Sequence, residues 1–218
     1  MIMKLYVEKG RNSLRIDEYE VIETFFQNDV TIIYKALSSD NIPVAIKTVA
    51  NPSDINTKNQ LYKEFAIAKG LNEEFFGRYI QILELDRTYL VMSFEQGKTI
   101  PQIMDTFRKS EQDFLQCTFL LASALESLHS KRIIHLDLRP SNIICLDDIS
   151  RVKILDFGKS SYISSVKNFS LLPEISPYSA PEQTGLTSKS VDERSDLYSL
   201  GVILYEIIGY HPPFVEED

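Results

Sequence analysis

The stretch IIHLDLRPSNIICL, residues 133–146, decides the fold. Two apolar runs, Ile133-Ile134 and Ile143 to Leu146, flank a polar loop that carries His135, Asp137, Arg139 and Asn142. Short apolar runs bounded by polar residues read as buried strands, and a loop held between strands is a rigid platform for function. On that platform a carboxylate, Asp137, and a carboxamide, Asn142, stand close together in the sequence.

Downstream, IICLDDISRVKIL reads as a tight hairpin turning at Asp147-Asp148, and it leads into KILDFG, residues 153–158. Val152 and Ile154 alternate as a strand, after which Asp156 enters a turn released by Gly158. A carboxylate at a strand end, next to a glycine that permits close backbone approach, suits a divalent cation and phosphates. Asn142 and Asp156 could therefore converge on one Mg2+, which takes only one or two protein oxygens when phosphates supply the rest. Asp137 then lies near the metal without ligating it, where a carboxylate can accept a proton from a hydroxyl nucleophile.

Upstream, YEVIETFF, TIIYKALS, VAIKTVA, YIQILELD and TYLVMSF are short runs rich in Ile, Val, Tyr and Phe, separated by polar turns. They predict five antiparallel strands. One helix interrupts them around residues 57–70, where Leu61, Phe65, Ala68 and Leu71 recur at helical spacing. In VAIK, strand alternation puts Ala45 and Lys47 on one face, so the lysine has a small neighbour and room beside it. Glu64 lies near the apolar stripe of the helix, where leaving a buried charge without its partner costs about 3–5 kcal/mol, and Lys47 is a candidate cation. Taken singly, Lys47 reads more readily as an exposed strand lysine, Glu64 can sit at the helix edge and reach water, and Asp156 can be an ordinary turn aspartate.

The composition changes near residues 93–99. EQDFLQCTFLLASALESLHS places Phe114, Cys117, Leu121, Leu125 and Leu128 on one helix face. A Ser-rich segment, residues 159–179, has no clear periodicity and reads as mobile and solvated. SDLYSLGVILYEIIG is a helix that Gly209 and Pro212-Pro213 terminate. The chain of 218 residues allows one large domain or two lobes, and 44% apolar residues can bury a substantial core. A net charge of -8 argues against general nucleic-acid binding, which needs a basic face. Cys117 and Cys145 lack metal-ligand spacing and read as buried free thiols of a reducing compartment. The opening MIMKLYVEKG is too short in its apolar part for a signal peptide, and no apolar run is long enough to span a bilayer, so the expectation is a cytoplasmic protein with no membrane partner.

VAIK, Glu64 in the following helix, HLDLRPSN, DFG, SAPE and SDLYSLG occur in that order. Together they resemble the signature set of eukaryotic-type serine/threonine protein kinases, from about Tyr19 to Phe214. The wording APEQTG and VDERSDLYSLGVILYE is most similar to the N-terminal kinase modules of large bacterial multi-domain sensor proteins, the hybrid histidine kinases. The resemblance implies an α+β, bilobal fold. Residues 1–93 would form an antiparallel N-lobe with one main helix. Residues 94–218 would form a mostly helical partial C-lobe, with a catalytic loop at 135–142, a metal-binding turn at 156–158, an activation segment at 156–182 and a core helix at 195–208.

It also implies roles. Lys47 would hold the ATP phosphates and pair with Glu64; Asp137 would orient the substrate hydroxyl and take its proton; Arg139 would touch the γ-phosphate. Asn142 and Asp156 would hold Mg2+. Ala45 and Met92 would line the nucleotide pocket, with Ser93, Phe94 and Glu95 as the adenine-binding hinge. The implied reaction is transfer of the γ-phosphate of ATP to Ser/Thr hydroxyls of a signalling protein. Three places depart from the pattern. Phe26, Asn28 and Thr31 stand where the phosphate loop has glycines; Leu136 replaces the arginine of HRD; Glu174-Ile175 replaces Gly-Thr before the APE motif. The missing glycines favour an alternative, a kinase-fold regulatory module with weak or no ATP binding, and HLDLRPSN would also suit a small-molecule phosphotransferase. Ten residues follow the last helical pattern, and Arg194 is the one arginine after Glu182 of the APE motif. The resemblance therefore implies a C-lobe lacking its last helices, further domains in the same polypeptide, and self-association through uncovered apolar surface.

Overall fold

Alternating β-branched and polar residues build the first half of the chain into one antiparallel sheet. The computed structural model describes residues 14–168, 176–185, 187 and 190–213. Its six strands are β1 (Arg15–Ile16), β2 (Tyr19–Gln27), β3 (Thr31–Leu37), β4 (Pro43–Val49), β5 (Tyr79–Glu84) and β6 (Thr88–Ser93), in the order β1-β2-β3-β4-β6-β5. The sequence predicts five; the sixth, β1, is two residues long, too short for an alternation to register. In β4 the alternation sends Val44 and Ile46 into an apolar cluster with Tyr19, Tyr89 and Val91, which leaves Ala45 and Lys47 on the other face.

On that other face lies α1 (Ile55–Ala68). It begins earlier than the periodicity of residues 57–70 implies, because Asp54 caps it: its carboxylate accepts from the amides of Asn56 and Thr57 at 3.0 and 3.2 Å. Leu71, though buried, falls beyond the helix, since Gly70 turns the chain with φ of 98°.

The second half contains β7 (Lys98–Thr99), α2 (Ile100–Lys109), α3 (Glu111–Ser130), β8 (Ile133–Ile134), β9 (Ile143–Leu146), β10 (Arg151–Ile154), β11 (Ser161–Tyr162) and α4 (Arg194–Gly209). The helix α2 is absent from the sequence reading. Its Pro101 looks like a breaker but sits in the first turn, where no amide is needed, and the Gln102 side chain accepts from the Thr99 amide at 2.8 Å. Strands β10, β9 and β7 form a small sheet in that order. Gly97 is required beside it, because a Cβ there would lie 2.5 Å from the Cys145 carbonyl oxygen.

Cys117, Leu121, Leu125 and Leu128 of α3 pack into the main core with Leu200, Ile203 and Ile207 of α4. Leu197 and Ile208 of the same helix are exposed. Nor does Gly209 end α4 by itself: it is the last helical residue, and Tyr210 takes the left-handed capping conformation with φ of 72°. Cys117 and Cys145 are free, buried thiols, and their mutual contact together with burial raises the pKa of Cys117. Among the described residues no helix is long and apolar enough to cross a membrane.

The Ser-rich segment is more ordered than a solvated loop. Ser161–Tyr162 pair with Ile133–Ile134, and a 3-10 turn, Ile163–Asn168, follows. Val166 is buried with Ile134 and Leu136, and Ile163 and Val191 pack against them. Ser160 and Ser161 are buried, and the Ser160 hydroxyl donates to the His135 carbonyl at 3.0 Å. Ser170, Glu174, Ile175 and Phe214 lie outside the described residues. Because apolar contact rather than an anion–arginine pair anchors this segment, Ser164→Ala with Ser165→Ala leaves its protection from limited proteolysis unchanged. Val166→Asp, which buries an unpaired charge, makes it readily cleaved.

Candidate active site

A buried lysine organises the cleft between the large sheet and the helical half. Strand β4 delivers Lys47, whose Nζ donates to Glu64 Oε2 on α1 and to Asp156 Oδ1 beyond β10, both at 2.8 Å. Tyr79 on β5 donates to the other Glu64 oxygen at 2.9 Å. Burial by itself would depress Lys47, but Asp156 and Glu64 outweigh it and hold the ammonium above its usual range. Burial likewise acts to raise Asp156, yet Lys47 and the Gly158 amide overcome it and bring the carboxyl down to about 2. For Glu64 burial wins, and its pKa is raised in spite of Lys47.

Asp156 occupies the left-handed region with φ of 64°, and Phe157 turns inward. The Phe157 ring lies 5.6 Å from Phe76, 6.1 Å from Tyr79 and 5.1 Å from His135. Next to this aromatic cluster the loop of residues 135–142 hangs on Asp196, which is wholly buried in the first turn of α4. One Asp196 oxygen accepts from the His135 amide and faces His129 Nε2, and the other accepts from the Leu136 amide, at 2.8–2.9 Å. These bonds hold Leu136 at a positive φ of 65°. His135 Nδ1 accepts from the Asp137 amide at 3.3 Å and Nε2 faces the Leu155 carbonyl at 3.1 Å, a pattern that requires the Nε2–H tautomer.

The Asp137 carboxylate thus reaches the cleft flanked by two cations. Lys159 Nζ donates to Oδ1 at 3.2 Å, and Arg139 Nη2 lies 3.5 Å from Oδ2. Arg139 Nε is buried without a hydrogen-bond partner among the described residues, an orphaned donor beside the carboxylate. Asn142 donates from Nδ2 to the Asp137 carbonyl at 2.9 Å, which leaves its Oδ1 as an acceptor. The Leu155 amide donates to the Asn142 carbonyl at 2.8 Å, which ties Asn142 to the residue before Asp156. Hard oxygens so disposed fit Mg2+. The orphaned Arg139 nitrogen fits a phosphate oxygen.

On the hinge side Met92 pairs with Ala45 across β6 and β4, on the strand face that carries Lys47. The Ser93 hydroxyl donates to Glu95 at 2.5 Å, and Lys153 Nζ lies 3.4 Å from the same oxygen. The Glu95 side chain is therefore turned back into the protein. The Phe94 ring meets Phe25 edge-on at 5.4 Å, with Lys35 over it at 4.7 Å. Between β2 and β3 the turn is closed on itself: Asn28 Oδ1 accepts from the amides of Val30 and Thr31 at 2.9 and 2.7 Å. Sequence reasoning saw missing glycines there but not this bond. It also missed the parts played by Asp196, Lys159 and Phe157. A lone aspartate inside the apolar pattern of SDLYSLGVILYE was a usable signal for the first; nothing in spacing marked the second. Arg194, the candidate cation for Glu182, pairs with Asp192 at 2.6 Å instead, and Glu182 accepts from the Ser195 hydroxyl at 2.6 Å.

This fold and this cluster define a protein kinase domain, and the chain belongs to that family: the protein kinase domain family model matches residues 20–218. Within it, the chain is similar to serine/threonine-protein kinase ULK3 of Homo sapiens, at 33% identity over 92% of this chain and 43% of the relative. It is 28% identical to serine/threonine-protein kinase unc-51 of Caenorhabditis elegans, over 92% of this chain and 25% of that protein. It is 31% identical to human serine/threonine-protein kinase ULK1, over 80% and 17% respectively. The chain thus spans less than half the length of these curated relatives.

Two outcomes follow from the buried charges. Asp196→Ala strands two buried amides and lowers the free energy of unfolding in urea by about 2–6 kcal/mol, at about 1–3 kcal/mol per unmet donor. Asp156 is depressed in the folded state, so its contribution is complete above its ordinary pKa of 3.8 and is lost as the pH falls toward about 2. The stability gap between the wild type and Asp156→Asn is therefore constant near neutrality and closes over that acid window in urea titrations.

Proposed function

We propose that this chain is a serine/threonine protein kinase domain that transfers the γ-phosphate of ATP to protein hydroxyls. The observation that carries the proposal is Lys47 bonded at once to Glu64 and Asp156, because it aligns a phosphate-binding cation with a metal-binding carboxylate. Lys47 holds nucleotide phosphates. Asn142 Oδ1 and Asp156 Oδ2 would hold Mg2+, which would supply positive charge to the phosphate oxygens. Asp137 receives the proton of the Ser/Thr hydroxyl as its oxygen bonds to the γ-phosphorus and the bond to the β–γ bridging oxygen breaks, releasing ADP. Ala45, Met92 and the backbone of Ser93, Phe94 and Glu95 enclose the adenine. APEQTG and VDERSDLYSLGVILYE support the narrower reading of a kinase module belonging to a multi-domain sensor protein.

One observation favours a second reading, a regulatory module that binds nucleotide weakly: Asn28 consumes the turn amides that would otherwise meet phosphate. Calorimetry with MgATP separates the two. The kinase reading expects saturable binding below millimolar ATP, and no heat there overturns it. In a radiolabelled-phosphate assay offering protein and small-alcohol substrates, label appears on protein. Asp137→Asn lowers turnover by about 10²–10⁴, the worth of a positioned base; wild-type turnover in this variant removes Asp137 from the chemistry.

A further inference from the structure

We infer that Lys159 is a phosphate-binding residue, which holds the terminal phosphate of the nucleotide from the catalytic-loop side in place of backbone donors withdrawn by Asn28. The inference rests on the kinase reading above. Its first ground is the closed turn between β2 and β3. Asn28 Oδ1 already accepts from Val30 and Thr31, and the Asn28 amide donates to the Thr31 carbonyl at 3.0 Å. An amide engaged by an internal acceptor must lose that bond before it can bind phosphate. The tip of the turn instead exposes Asp29, whose charge has the wrong sign.

The second ground is the placement of Lys159. It follows Gly158 directly, and its ammonium lies 3.2 Å from Asp137 Oδ1, while Arg139 lies 3.5 Å from Oδ2. Both cations therefore stand within one atom's reach of the proton acceptor, where the transferred phosphoryl group must pass. Balance of charge supports the assignment. Among the described residues Lys47, Arg139 and Lys159 stand against Glu64, Asp156 and Asp137, three cations against three carboxylates. Without Lys159 these carboxylates outnumber the cations before an anionic nucleotide arrives. Arg139 supplies one uncommitted donor, its buried Nε, so a second cation beside Asp137 adds a contact that Arg139 does not make.

A residue that merely orients Asp137 affects turnover without distinguishing nucleotides, whereas one that holds the terminal phosphate distinguishes ATP from ADP. The test is calorimetric titration of the full 218-residue chain with MgATP and MgADP. The wild type binds ATP more tightly than ADP. Lys159→Met weakens ATP by roughly tenfold or more, the worth of a charge-assisted hydrogen bond, and leaves ADP within about twofold. Lys159→Arg, which keeps the charge, retains most of the preference, and Asn28→Gly tightens nucleotide binding by freeing the turn amides. If Lys159→Met lowers turnover but leaves the ATP-to-ADP ratio at the wild-type value, Lys159 only positions Asp137 and the inference falls. It also falls if the wild type already binds the two nucleotides equally, or if Asn28→Gly leaves affinity unchanged. Failure of the wild type to bind either nucleotide overturns the kinase reading itself, a result distinct from the others.

Discussion

An ammonium group largely withdrawn from water is best placed between carboxylates, and that constraint draws this molecule together. Lys47 comes from the sheet, Glu64 from α1 and Asp156 from the turn after β10. Glu64 and Lys47 would be costly to bury alone, and the half-exposed Asp156 completes their pairing when all three elements meet. The same contact therefore closes the sheet against its helix and closes both against the second half of the chain. Tyr79 adds a neutral donor to the one glutamate oxygen that Lys47 does not reach.

A second buried carboxylate does for the loop what this cluster does for the lobes. Asp196 takes the amides of His135 and Leu136, a pair of donors whose directions force Leu136 into a conformation that a leucine rarely adopts. The strain is local and its effect is specific: it sends Asp137 out toward Lys159 and Arg139 while Leu136 goes in. Leu136 then meets Ile134 and Val166. Where a charged residue at this position would need an anion, the apolar side chain needs only other apolar side chains, and the segment after Asp156 supplies them.

The closed turn at Asn28 and the cation pair around Asp137 are parts of one redistribution of charge. Donors are spent inside the turn, and basic side chains gather at the opposite wall of the cleft. The kinase frame is retained, with the turn amides bonded to Asn28 and two cations beside Asp137.

How much of this was legible beforehand follows from the range of each interaction. Strand alternation in VAIK, the periodic stripe of α3 and the apolar brackets around HLDLRPSN are local regularities, and they marked a sheet with one helix followed by a helical half, to which the kinase resemblance added the α+β, bilobal fold. They also marked Lys47, Glu64, Asp137, Asn142 and Asp156 as candidates, since each sits in a local pattern that makes its polarity conspicuous. Elements without such regularity escaped: β1 is too short to alternate, and α2 hides behind Pro101, whose ring breaks a helix interior but not a first turn. Lys159 and Asp137 are distant in the chain, and only the pairing of β11 with β8 and the pull of Asp196 bring them within 3.2 Å. Ser160 and Ser161 read as solvated hydroxyls because nothing local shows the strand that buries them. A side chain's type and periodicity are written in the chain, but the partner it meets is chosen by long-range packing, and here that packing alone decided which charges surround the Asp137 carboxylate.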